Sequence, residues 1–259
     1  MLGLAEKTRL AVQQYGTPAQ RGSFYECLVL VDNRRYRYVV PEETVTYAQT
    51  SLAASQESDD LSQVARSHFL LGFCHLWRSE LDKARDAIQS ALTLAERIGD
   101  VDVQLLCLTF LPVVFRKSGQ VEDARRLLSR SLAVARERES LEYEGMARAN
   151  LAWVALREGN LAEAQLNGQA ALELWRPPVK MPFMSLALWP LIRVRLACNQ
   201  VSEAIEHARA LLEPEQQPLP DALAAVVERA VTTWEKSESE IARTHLERAI
   251  ELAQELGYL

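Results

Sequence analysis

The chain has 259 residues, 48% of them apolar and 25% charged, the composition of a globular protein able to bury a sizeable core. A net charge of −6 and a pI near 5.4 exclude the basic stripe that a nucleic-acid-binding domain needs. Four scattered cysteines without a C-x-x-C spacing exclude a disulfide framework or a zinc motif, and their apolar helical surroundings predict buried free thiols in a reducing compartment.

In chain order, "MLGLAEKTRLA" carries charge too early for a signal peptide. Leu4 to Gln14 reads as one helix of a pair whose first member is missing, so residues 1–16 are expected to be an unpaired second-type (B) helix cut from a larger chain. The longest apolar run, "LLCLTFLPVVF", is about half of the ~20 residues a membrane span requires. A cytoplasmic location with no membrane contact follows as the expectation.

From there one phrase returns. "WRSELDKAR", "FRKSGQVEDAR", "LREGNLAEAQ" and "ACNQVSEAI" each run an apolar helix into a short bend and restart on a small residue. Ala84, Ala124, Ala164 and Ala204 stand forty apart, Thr44 and Leu4 continue the period backwards, and Ala242 arrives two residues early. Apolar or small residues four and seven places after each anchor, such as Ile88 and Ala91, mark one face of a B helix. Gly119 and Gly159 suit a left-handed helix end, and Asn199 tolerates it. Each anchor is expected to face a second small site twelve residues earlier on the preceding A helix, as Gly72 faces Ala84 and Ala152 faces Ala164. Asp32, Pro112 and Ile192 break that rule. The period predicts a single domain over 1–259, with repeats at about 19–57, 61–99, 101–138, 141–176, 183–213 and 221–257. Pro112 and Pro190 fall inside A helices and should kink them. The Pro-bearing loops at 176–183 and 213–221 should change the pitch locally.

Leu71–Gly72 with Ala84, Ile88 and Ala91 resembles the tetratricopeptide repeat, in a long-helix form that exceeds the standard ~34 residues. That resemblance implies an all-α, right-handed α-α superhelix, a solenoid of about thirteen antiparallel helices. A narrower one rests on "RYRYVVPEETVTYA", "ARANLAWVALREGNLAEA", "ALWPL", "LLEPEQQPLPDAL" and "LAQELGYL". These look like the C-terminal helical array of large bacterial signalling proteins, which carry a regulatory ATPase and sometimes a nucleotide-cyclase or DNA-binding module. No G-x-x-x-x-G-K-[ST] occurs, so such an ATPase would lie outside these residues.

Catalytic chemistry finds little support. His68, Cys74 and His75 sit close in sequence but lack a spaced partner set, so packing outweighs metal binding. No nucleophile elbow or phosphate loop appears, and no cofactor is implied. "DNRRYRYVV" packs arginines with tyrosines at a helix end, where basic groups complement the dipole, and reads better as a contact to a neighbouring domain than as a nucleic-acid site.

In the tetratricopeptide family, positions 2, 5, 9 and 12 of helix A line the concave surface. The resemblance places Asn33, Tyr36, Phe69, Phe73, Arg116, Met146, Trp153, Trp189 and Arg193 there. Aromatics mixed with arginine suit a recognition surface, whereas the competing reading makes the same rings inter-repeat core. The expected function is a non-enzymatic interaction module for a protein or peptide partner, or for another domain of its own parent chain. A small-molecule effector sensor controlling an attached ATPase or transcription-regulator module is the second reading.

Overall fold

The helical bends set the architecture. In the computed structural model, residues 2–259 are described, with side chains from residue 8 onward, so the expected anchor at Leu4 lies outside the described side chains. The described residues form thirteen α-helices and no strand. Two compact units divide the chain, Met1–Val114 and Phe115–Leu259. The first holds α1 (Leu2–Tyr15), α2 (Pro18–Arg35), α3 (Glu42–Gln56), α4 (Leu61–Trp77), α5 (Leu81–Ile98) and most of α6 (Val101–Lys117). The second takes the last turn of α6 and then α7 (Val121–Glu137), α8 (Leu141–Arg157), α9 (Leu161–Leu174) and α10 (Ser185–Ala197), followed by α11 (Val201–Leu211), α12 (Asp221–Glu235) and α13 (Ser239–Glu255).

Local signals start and stop these helices. Thr17 opens α2 with a capping box shared with Gln20, and the Asp60 and Asn160 side chains accept from the amides of Gln63 and Glu163. Gly119 (φ 69°), Gly159 (φ 80°) and Asn199 (φ 60°) end their A helices in the left-handed region. Ser79 (φ 59°) and Ser237 (φ 65°) do the same at two further bends, where no residue type announces it.

Within the first unit α2 packs on α3, α3 on α4 and α4 on α5, while α2 also meets α4. Within the second, successive helices from α7 to α13 pack in turn, and α10 meets both α8 and α13. The anchors Ala84, Ala124, Ala164, Ala204 and Ala242 are all fully buried. At Gly72 the approach is so close that a Cβ would lie 2.6 Å from Cγ1 of Ile88 and 3.0 Å from its amide nitrogen.

Pro112 and Pro190 lie inside α6 and α10, which run on through them. One expectation needs correction. Only two of the four cysteines are buried: Cys74 and Cys107 are enclosed, and burial pushes both thiols up, that of Cys74 to about 12. Cys27 lies on the solvent side of α2 and Cys198 caps α10, so both are exposed.

Candidate recognition face

In the first unit, Phe69 and Phe73 lie one helical turn apart on α4, buried, with centroids 5.9 Å apart. Phe110 packs against both at 5.8 and 4.9 Å, and Tyr38 and Trp77 stand edge-on to Phe73. Asn33 is buried with neither side-chain atom hydrogen-bonded. Tyr36 caps α2 at the surface, under the guanidinium of Arg35 at 5.2 Å.

The second unit gathers a different cluster. Met146 and Trp153 lie two turns apart on α8, Trp189 is on α10, Arg116 is in the last turn of α6, and all four are buried. Arg193, one turn beyond Trp189, is exposed. The rings of Trp153 and Trp189 have no solvent-accessible surface, so neither lines an open cavity.

Arg116 organises this cluster, and Pro190 explains where it sits. Proline has no N–H, so the carbonyl four residues earlier in α10, that of Leu186, loses its helical donor. Nη1 of Arg116 donates to that carbonyl at 2.8 Å. Nη2 donates to the backbone carbonyl of Tyr258 at 2.6 Å, and the guanidinium carbon lies 5.9 Å from the centre of the Trp153 ring. Burial pushes this cation down from its ordinary pKa. A buried charge ordinarily requires a partner of opposite sign, but the groups recorded against Arg116 are carbonyl dipoles and a ring face.

Hydrogen-bonding capacity is left over around it. Nε of Arg116, both indole N–H groups and Oδ1 of Asn150 are buried without a partner, although Asn150 donates through Nδ2 to the Met146 carbonyl at 2.9 Å. Buried polar groups in folded proteins are nearly always satisfied, so the unsatisfied groups on Arg116, Trp153 and Trp189 mark this cluster chemically. All three are donors, a set that suits a ligand rich in acceptors such as peptide carbonyls or a carboxylate.

Three residues of this cluster escape the repeat pattern. Lys117 places its ammonium 4.9 Å from the Tyr258 ring, and burial with the neighbouring Arg116 holds its pKa down to about 8. Tyr258 lies 6.4 Å from Trp189, and Leu259 is buried beside it in sequence. The available signal was an aromatic residue directly after a helix-ending glycine, in "LGYL".

Among the described residues no group of three or more His, Cys, Asp or Glu could hold a metal ion, and no helix is long and apolar enough to cross a membrane. No protein-family model matches the chain, and no curated protein does. Solved structures do. RapI in its apo form is 14% identical, with 97% of this chain and 68% of that one covered at a TM-score of 0.61. BtubC (BKLC) from P. vanneervenii is 16% identical over 85% of this chain and 94% of its own, at 0.63. A Rap protein complexed with competence and sporulation factor is 12% identical over 98% and 69%, at 0.70. At such identities the likeness is one of architecture, and it assigns this chain a tetratricopeptide-like helical-repeat fold.

Proposed function

We propose that the chain is a non-enzymatic interaction module that binds an extended peptide segment, supplied by a partner protein or by another domain of its own parent chain. The observation that carries this reading is the Arg116 cluster, which already holds one main-chain carbonyl, that of Tyr258, and has donors to spare. Helical-repeat folds expose long faces on which each repeat contributes a few side chains, a geometry suited to polypeptide ligands. Support also comes from one of the similar solved structures, a Rap protein complexed with competence and sporulation factor, in which a fold of this kind holds a bound factor. The resemblance to the arrays of bacterial signalling ATPases supports a regulatory setting.

Panning random dodecapeptides against the full chain tests the proposal. The selection should converge on a motif. Arg193→Glu, a charge reversal on the exposed face of α10 next to Trp189, should weaken the selected peptide at least about tenfold while leaving the helical circular-dichroism signal unchanged, as expected for loss of one charge-assisted contact. A selection that never converges, beside a nucleotide or metabolite that raises the melting temperature, would replace this reading with the effector sensor.

A further inference from the structure

The segment Gly257–Leu259 turns back after α13 and lies against the Arg116 cluster. Gly257 adopts φ 74°, a left-handed conformation that side chains rarely take, and a Cβ there would sit 3.1 Å from the Lys117 carbonyl oxygen. The reversal is closed by the amide of Tyr258 donating to Ala253 O at 2.7 Å. Beyond it, the Tyr258 carbonyl accepts from Arg116 and its ring lies between Trp189 and the Lys117 ammonium. The Leu259 side chain is buried.

We infer that this segment is a displaceable occupant of a peptide-binding recess, and that the ligand it stands in for is an extended peptide with an aromatic residue followed by an aliphatic one. The inference deepens the peptide-docking reading and rests on it. Two features separate an occupant from a permanent part of the core. Arg116 holds the segment by its main chain, a contact that any peptide could supply. The fit is also incomplete: with the segment in place, Nε of Arg116 and the indole N–H groups of Trp153 and Trp189 still lack partners. Each such atom disfavours the occupied state relative to a ligand that would satisfy it. A longer partner segment, with more carbonyls and the same aromatic–aliphatic pair, would keep the ring contacts and use those donors. The recess therefore favours a peptide by main-chain acceptors and selects its register by the aromatic side chain.

The test opens the recess in the full chain. Gly257→Val strains the left-handed turn and crowds Lys117, and Tyr258→Ala removes the ring, so the double variant should release the segment while keeping every helix. The probe is a fluorescein-labelled, C-terminally amidated hexapeptide of residues 254–259, titrated by anisotropy. The double variant should bind it saturably and at least tenfold more tightly than the unmodified chain. The same peptide with alanine in place of its tyrosine should bind at least tenfold more weakly. Failure of a folded double variant to bind the hexapeptide would overturn the inference, as would equal binding by both chains. Loss of the helical signal in the double variant would show a structural staple and overturn it too. None of these failures touches the dodecapeptide selection, whose convergence or lack of it judges the docking reading separately.

Discussion

Thr44 and Asp32 show at the residue scale how a repeat survives the loss of its own rule. In the later repeats the anchor is alanine, and the close approach of α4 and α5 is permitted by Gly72 opposite it. In the first hairpin the anchor is threonine and the residue twelve before it is aspartate. The threonine hydroxyl donates to the Asp32 carboxylate at 2.8 Å, and Thr44 is fully buried. The departure from small residues is thus compensated by a hydrogen bond to a charged group. Thr44→Val keeps the shape and removes the donor. Because Asp32 is half-buried and can recruit water, the cost should be about 1–2 kcal/mol, below the upper end for charged hydrogen bonds. A urea midpoint equal to that of the unmodified chain would show that the bond contributes nothing. This pairing was legible as a position in the repeat but not as an interaction, since a periodicity argument sees residue size and not the partner of a hydroxyl.

The elements were the most legible level, because their ends are written locally. In the repeat read at about 141–176 the helices run Leu141–Arg157 and Leu161–Leu174, held apart by Gly159 and by the Asn160 cap. A rule for isolated helices says that Pro190 disrupts α10, but tertiary packing supplies the missing donor from Arg116, a residue seventy positions away from the freed Leu186 carbonyl. The anchors also reach further than the hairpin. Ala164 packs in one buried cluster with Ala155 of α8 and Val194 of α10, with Leu156 and Leu161 against it. Ala164→Leu therefore drives three extra heavy atoms into a junction of three helices. It should cost ~1–3 kcal/mol, the usual penalty of overpacking a well-filled core. A retained urea midpoint would contradict the close approach at this anchor.

Across the whole molecule, acid should act through histidine. Burial lowers the pKa of His68 and His207, and it lowers that of His75 despite a 2.9 Å contact between its Nδ1 and Glu80. Each folded pKa lies below the ordinary histidine value of 6.5, so near and below that pH the unfolded chain binds more protons. The stability these groups contribute is present above about pH 6.5 and lost as pH falls through their folded values. Glu26, raised by burial, opposes them as one group against three. The urea midpoint should fall from about pH 7.5 to about pH 5.5, and His75→Gln should flatten part of that fall. At this scale the sequence offered least. Arg116, Met146, Trp153 and Trp189 could be selected by helical spacing, but Lys117 and Tyr258 could not. The bond between Arg116 and the Tyr258 carbonyl closes over 142 residues, and no local pattern encodes a contact of that range. The carbonyl contact on Leu186 and the shielding from water that lowers the Arg116 pKa likewise arise only when α6, α8, α10 and the end of α13 meet.

The uneven exposure of the thiols has a practical consequence. Cys27 belongs to the first unit and Cys198 to the second, and both face solvent, whereas Cys74 and Cys107 are enclosed and their thiolates suppressed. Maleimide dyes should therefore attach at two sites on the native chain, one per unit, with no engineered residue. A donor and acceptor on that pair form a built-in molecular ruler. Its energy-transfer efficiency, followed while a selected dodecapeptide is added, would report directly whether binding moves the two units with respect to each other.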